Sequence, residues 1–511
     1  MPPTDPVSAD RTAPGGEPHA GRGLADGRPL VIASNRGPVS HDLDPTGEPI
    51  QRRGVGGLVT ALTGSLDATG GLWVASAMTE GDRIAAEAST DGHIEVLTED
   101  AKYSVRYLTI DPATFANFYD VISNRVLWFV HHFLFDVAYT PRFDRDTQRA
   151  WEDYVEVNRA FADALAAEGT GLGRPPAYLV QDYHLSLVPG LLRERLPDAL
   201  IAHFSHTPFA GPSYFSILPR AMTEAILRGL LAADILGFHS QTWAQNFLLA
   251  CRELPGASVD LRRSRVELEG RRTYVRIHPI GIDAESLRAS ASAPEVRAAR
   301  RELLRWRGDA KLVLRVDRTE LTKNIVRGFL AFEAFLREHP SWLGRVRFLA
   351  LLNPSRIDLP EYRDYTQECL RTAERINGEL AWEGPPPIEV AVQDDFPRAV
   401  AAYGLYDVLM VNPVFDGMNL VAMEGPVVNR NAGAVILSRN AGAFSLLGRH
   451  TIGVNPFDVG ETARALHTAL SMPEEERSRR ARALRAVVRR NTPARWVSRQ
   501  LDDLDRAAAR R

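Results

Sequence analysis

Two cations five residues apart give the first indication of chemistry. Arg318 and Lys323, in Val316-Asp317-Arg318-Thr319-Glu320-Leu321-Thr322-Lys323-Asn324, follow an apolar run that reads as a buried strand. A diphosphate suits such a pair. A nucleoside diphosphate leaving a sugar gains negative charge as the bond breaks, and fixed cations favour that state over the bound substrate. Taken alone, the two charges also fit a solvated surface.

The stretch Asp416-Gly417-Met418-Asn419-Leu420-Val421-Ala422-Met423-Glu424 is more specific. Asp416 stands in a loop after a strand, Gly417 permits close backbone approach, and a helix is expected from about Asn419. Free N–H groups and a carboxylate are thereby offered to a polyhydroxylated ligand. Glu424, about one turn into the helix, is placed to accept from ribose hydroxyls. Gly54-Val55-Gly56-Gly57 ahead of a helix can bring amides to a phosphate, and serves equally as a plain tight turn. No Gly-Lys-Ser/Thr follows it, and the full dinucleotide spacing is missing. Asp182, His184 and His206 follow strands of the first half and could line an acceptor site. Arg36 and Arg356 also follow strands and suit bidentate phosphate binding. His131-His132 and His203 with His206 have no clear ligand set, so no metal is expected, nor any other cofactor.

These residues need elements to hold them. Apolar runs at Leu30–Ala33, Ala177–Val180, Leu200–Phe204, Ile235–Phe238 and Tyr274–Ile280 form one series. Lys311–Val316, Val346–Leu352, Asp407–Val411 and Ala434–Ser438 form a second. Amphipathic helical stretches such as Val326–Glu338 lie between them, and Glu474–Arg490 and the tail after Trp496 read as helices. The alternation predicts two doubly wound α/β domains. Ligands on such sheets bind beyond the carboxyl ends of the strands, which is where the polar residues above fall. Two such domains face to face would form a deep cleft.

The bulk properties fit. The 511 residues suit two domains, with 45% hydrophobic and 24% charged residues. A net charge of -3 argues against a nucleic-acid partner. Cys251 and Cys369 can build neither a disulfide framework nor a thiolate zinc site, so a reducing cytoplasm is expected. No apolar run reaches the ~18 residues that span a membrane. Residues 1–28, rich in Pro, Gly and Asp, read as a disordered tail without a signal peptide. Lysine is confined to Lys102, Lys311 and Lys323, which makes Lys323 less easily background.

Together the motifs resemble the trehalose-6-phosphate synthase family, from about Val31 to Trp496. The matching segments are Ser34-Asn35-Arg36, Gly56-Gly57-Leu58, Ser123 to Trp128, Gln181 to Leu185, His206 to Phe209, Pro279 to Ile282, Arg318 with Lys323, and Asp416 to Glu424. The resemblance implies a GT-B fold of two Rossmann-like domains, an acceptor domain at 29–284 and a nucleotide-sugar domain at 285–495. A last helix at 496–511 would cross back to the first domain. It implies transfer of glucose from GDP-glucose or UDP-glucose to glucose 6-phosphate, with retention and without metal. Arg36, Tyr119, Trp128, Asp182 and Arg356 should then hold glucose 6-phosphate. Gly56, Gly57, Arg318, Lys323, Asp416 to Val421, including Met418, Asn419 and Leu420, and Glu424 should hold the donor. His206 and Asp416 should position the transferred glucose.

Departures cluster around the nucleotide. Lys323-Asn324 replaces the family's Lys-Gly, Thr207 and Ala210 stand in its His-Ile-Pro-Phe-Pro, and Met423-Glu424 replaces Lys-Glu. Phe396 marks a base-binding strand end, with a spacing to Asp407 two residues shorter than usual. Such departures look like those of actinobacterial members and leave the base open. They also resemble a pseudo-glycosyltransferase that joins cyclitols through nitrogen. A catalytically silent sugar-phosphate sensor is a further alternative, and would be expected to lack Arg318, Lys323 or Asp416. A homo-oligomer is left open.

Overall fold

The computed structural model describes residues 28–53, 59, 62–63, 66, 71–97, 102–172 and 175–510. The expected tail falls almost wholly outside them. In chain order the strands begin with β1 (Leu30–Ala33), β2 (Val39–Leu43), β3 (Pro49–Arg53), β4 (Leu72–Ser76), β5 (His93–Leu97) and β6 (Lys102–Leu108). Next come β7 (Ala177–Gln181), β8 (Leu200–Ser205), β9 (Ile235–Phe238), β10 (Ser258–Asp260), β11 (Arg265–Leu268) and β12 (Arg271–Ile277). The last six are β13 (Lys311–Arg318), β14 (Val346–Asn353), β15 (Ile388–Val392), β16 (Val408–Val411), β17 (Ala434–Ser438) and β18 (Ile452–Val454).

Among the described residues these strands form two large sheets and the β2–β3 hairpin. The first sheet runs β10-β11-β12-β9-β8-β7-β1-β4-β6-β5 and the second β15-β14-β13-β16-β17-β18. The second is parallel throughout. The first is parallel from β12 to β6, with antiparallel strands at both edges. Helices cover both faces, so the central strands are buried on both sides and read as continuous apolar runs; Leu-Val-Ile-Ala of β1 and Val-Leu-Met-Val of β16 are wholly buried.

The strand order sets the position of the site. In each sheet the chain winds outward one way from the first strand and then returns to its other side. The reversal falls between β1 and β7 in the first sheet and between β13 and β16 in the second. Loops leaving such neighbours diverge and open a crevice at the strand ends. Arg36 follows β1 and Asp182 follows β7; Lys323 follows β13 and Asp416 follows β16.

The chain ends by crossing back. The helix Glu474–Arg490 packs on the second sheet's helices, and the helix Pro493–Ala508 lies against β8 and β9. This last helix starts at Pro493 rather than at Trp496. The Thr492 hydroxyl accepts from the Arg495 N–H and proline occupies the first turn, a start signal readable in the sequence. Trp496 is fully buried, edge-on to Phe204 with ring centres 4.9 Å apart. His278 Nε2 meets Asp503 Oδ2 at 2.8 Å. At the crossing Gly281 touches the returning backbone: a Cβ there would lie 1.6 Å from the Asn491 carbonyl oxygen. Gly281→Ala should therefore part the two segments and cost about 3 kcal/mol, the upper end for overpacking. Thermal unfolding of the variant is the check, and an unchanged midpoint would show that the crossing is not tightly held.

Candidate active site

A cleft of about 840 Å³ lies where the carboxyl ends of the two sheets face each other. Arg36, Tyr119, Trp128, Asp182 and His206 line it from the first sheet. Arg318, Lys323, Arg356, Asp416 and Gly417 line it from the second. Gly56 and Gly57 lie outside the described residues. The side chains of Met418, Asn419, Leu420, Val421 and Glu424 do not form part of this lining. Met418 and Asn419 are buried beneath the Asp416 loop. The helix expected from Asn419 is Val421–Val428, because Asn419 itself is left-handed at φ 72°. Glu424 is half-buried, and its Oε2 accepts from the Tyr403 hydroxyl at 2.9 Å.

On the second sheet's side the centre is an ion pair, Lys323 Nζ to Asp416 Oδ2 at 2.6 Å. Burial would draw the lysine's pKa down, but Asp416 and then Asp317 outweigh it and raise it. Burial likewise opposes ionisation of Asp416, and Lys323 outweighs it. Lys323 ends a tight turn, Leu321–Lys323, and the following Asn324 is left-handed at φ 59°. Its side-chain amide donates to the carbonyls of Asn412 at 2.9 Å and Pro456 at 2.7 Å. Asparagine is among the few residues besides glycine that adopt this conformation readily. Asparagine here thus meets, without glycine, a left-handed backbone position. Asp416 accepts from the Met418 N–H and the Asn419 amide. Gly417 presses against the first sheet's loop: a Cβ there would lie 1.8 Å from the His206 carbonyl oxygen.

On the first sheet's side Asp182 stands at φ 71°, its Oδ1 3.1 Å from the His206 N–H. Burial pushes its carboxyl up to about 6, against the pull of that N–H. Burial holds the His206 imidazole well below its ordinary pKa, hence neutral near pH 7, with Nε2 3.1 Å from Gln181 Oε1. Arg356, also left-handed at φ 46°, lays its guanidinium over the Trp128 ring at 4.3 Å and donates to the Tyr362 hydroxyl at 2.9 Å. Tyr119 stacks on His184, with centroids 5.9 Å apart. Burial drives His184 down to about 3, with Arg356 and Arg36 adding to the shift.

Several lining residues are not assigned to the substrate site from the sequence, where His132 is weighed only as a metal ligand. His132 stacks on Trp128 at 3.9 Å between ring centres. Asp120 and Asp358 face the cleft beside Arg356; burial, then the Asp358 charge, raises Asp120. Glu320 lies beneath the cleft, fully buried between Arg318 and Arg356. An acidic residue between two cations was its only trace in the sequence. Among the described residues no group of three or more His, Cys, Asp or Glu side chains is placed to hold a metal ion, and no helix is long and apolar enough to cross a membrane.

Two Rossmann-like sheets with their switch points facing across a cleft rich in cations define a GT-B nucleotide-sugar glycosyltransferase. The family model for glycosyltransferase family 20 matches residues 28–506. A validamine 7-phosphate valienyltransferase of Streptomyces hygroscopicus subsp. jinggangensis is 34% identical, over 94% of this chain and 94% of that one. A trehalose-6-phosphate synthase of Mycolicibacterium paratuberculosis is also 34% identical, over 98% and 99%. The E. coli trehalose-6-phosphate structure with UDP-2-fluoro glucose superposes with a TM-score of 0.79 at 28% identity, over 93% and 98%. The α,α-trehalose-phosphate synthase of Burkholderia xenovorans in complex with glucose-6-phosphate gives 0.79 at 26%, over 93% and 99%. The chain belongs to glycosyltransferase family 20, the trehalose-6-phosphate synthase family.

The Asp182 environment has a measurable consequence. Folded Asp182 keeps its proton to about pH 6, whereas an unfolded aspartate releases it near 4. The folded chain therefore binds more protons between those values, and this group's contribution to stability falls as pH rises from about 4 to about 6. Asp182→Asn should remove that component, so the variant gains on the wild type across the interval and then runs parallel to it. Melting curves at stepped pH test this; parallel behaviour throughout would mean that Asp182 titrates normally.

Proposed function

We propose that this protein transfers glucose from GDP-glucose or UDP-glucose to glucose 6-phosphate, giving trehalose 6-phosphate and a nucleoside diphosphate with retention of configuration. The observation that carries the reading is the division of charge in the cleft. Arg318 and the Lys323–Asp416 pair stand on the second sheet's side, opposite Asp182 and His206 on the first, and Arg356, separated from Arg318 by Glu320, turns toward Trp128 in the cleft that Arg36 also lines. Relatives described as trehalose-6-phosphate synthases, and structures of such enzymes with a UDP-sugar analogue or with glucose 6-phosphate, support it.

In this reading the bond between the sugar's C1 and the diphosphate oxygen breaks, and its electron pair stays on the diphosphate. Arg318 and Lys323 meet the charge that develops there. An acceptor hydroxyl oxygen bonds to C1 on the face the diphosphate leaves, and its proton passes to a diphosphate oxygen. Asp416 holds Lys323 in place. Asp182 accepts from acceptor hydroxyls, and neutral His206 bonds the transferred glucose. Gly56, Gly57, Met418, Asn419, Leu420 and Val421 contribute through backbone amides, and Glu424 receives the ribose. Arg36 and Arg356 clamp the acceptor phosphate, with Tyr119 and Trp128 packing beside it. The reading includes an acceptor domain at 29–284, a donor domain at 285–495 and a cytoplasmic location.

The relative that acts on validamine 7-phosphate, together with three carboxylates (Asp120, Asp182 and Asp358) on the acceptor side, favours one second reading. These acids would suit a protonated amine on a cyclitol phosphate, coupled to a nucleotide-cyclitol donor.

Incubation with glucose 6-phosphate and either nucleotide sugar, read by mass spectrometry, should yield a disaccharide phosphate with at least one donor. Folded protein that forms none, yet turns over an amino-cyclitol phosphate with a nucleotide-cyclitol, would establish the second reading. Lys323→Ala should lower kcat on the order of 10²-fold, as for loss of a transition-state donor; near-normal turnover would remove that role. Arg356→Ala should raise the acceptor's KM roughly tenfold or more, with less effect on kcat, and an unchanged KM would refute the phosphate clamp.

A further inference from the structure

Among the described residues, Glu320 is the one carboxylate ion-paired with both Arg318 and Arg356, the cations assigned to the two substrates. Its side chain has 0% exposure. Its Oε1 lies 3.0 Å from Arg318 Nη1, 3.4 Å from Arg356 Nη1 and 2.7 Å from the Ser355 hydroxyl. Its Oε2 is buried with no hydrogen-bond partner among the described residues. Two hydrogen-bond donors, Ser355 and Arg356, and the ion-paired Arg318 guanidinium therefore converge on a single oxygen. The loops are held in step as well: Arg318 pairs with Asn353 at the ends of β13 and β14, and the Thr319 N–H donates to the Asn353 carbonyl at 2.8 Å.

Two guanidiniums so close repel each other unless an anion stands between them. Burial alone would raise the Glu320 carboxyl; Arg318, then Arg356 and Lys323, outweigh it and hold it down to about 2, so it stays ionised. The anion is thus permanent and out of reach of substrate. Arg318 leaves it toward an open side, half exposed, whereas Arg356 leaves it toward the Trp128 ring.

We propose that Glu320 is a positioning residue that aims Arg318 at the donor diphosphate and Arg356 at the acceptor phosphate from one oxygen, so that both sites depend on it. The inference rests on the functional reading above. It predicts the opposite of simple electrostatics. Removing a buried negative charge from beneath two anion sites should tighten both anions, whereas loss of a shared anchor should loosen both.

The test is calorimetric titration of the full chain with UDP and GDP, and separately with glucose 6-phosphate. In Glu320→Gln, which keeps shape and removes charge, the dissociation constants for glucose 6-phosphate and for the nucleoside diphosphate that binds should each rise fivefold or more. Turnover at saturation should fall less than kcat/KM. Arg318→Ala should weaken the nucleoside diphosphate alone, and Arg356→Ala glucose 6-phosphate alone. Ser355→Ala removes one of the donors on Oε1 without touching the buried charge. It should weaken both ligands about twofold or more, and decides the matter if Glu320→Gln does not fold. Unchanged or tighter binding of either ligand in the folded variant overturns the proposal. A wild type that binds both ligands alongside a variant that binds as well removes this inference alone. A wild type that binds neither removes the functional reading and this inference together.

Discussion

The Gly417 backbone rests directly against the His206 carbonyl, and the site depends on that contact. The loop after β16 reaches across the cleft and meets the loop after β8 with no side chain between them. Only glycine permits this spacing. It carries Asp416, and through Asp416 also Lys323, to within reach of the residues that follow β7 and β8. The Trp243 indole donates to the Gly417 carbonyl at 3.3 Å, so the first domain also grips the loop from outside. With a bulkier residue there, the two halves of the chemistry would stand apart.

Around that contact the cleft manages charge by pairing rather than by exposure. Isolated buried ions are costly, and buried ions with partners are tolerated. Lys323 has Asp416, and Arg318 and Arg356 share Glu320. Beneath them Arg315, fully buried, faces Asp317, whose carboxyl burial pushes up to about 6. The cations at the surface of the cleft are thus held in fixed directions before any ligand arrives. That preorganisation is what makes charge effective at a reacting centre, since no reorientation is needed as the bond breaks.

Much of this was legible in the residues. Apolar runs closed by polar residues located the strand ends, and strand ends in doubly wound sheets are where ligands sit. Arg36, Asp182, His206, Arg318, Lys323, Arg356 and Asp416 all reached the cleft because each ends or follows a strand. Residues whose role depends on three-dimensional neighbours were not legible. Glu320 reads as a loop acid until Arg356, distant in sequence, is folded over it. Tyr403, the partner of Glu424, lies on a separate helix. The segment Asn117–Leu127 winds as a π-helix, a register that hydrophobic spacing does not reveal, and it delivers Tyr119 and Asp120 to the cleft. The antiparallel edge strands were missed because short half-exposed strands carry weak periodicity. Asn324 shows the reverse case: it departs from the expected glycine in sequence, yet it holds a left-handed backbone of the kind glycine adopts readily.

The helix Pro493–Ala508 carries a consequence for how the two domains are tied together. Trp496 packs beneath Phe204 and within 5.6 Å of the His206 ring, and Asp503 secures the helix through His278 and Arg276. The backing of the first domain's side of the cleft is therefore lent by a segment that follows the second domain in the chain. The chain passes between the domains twice, and the two passages touch where Gly281 meets Asn491. A strap tied down in this way couples the support of the histidine to the joint between the domains, so that strain at the joint is felt at the reacting centre.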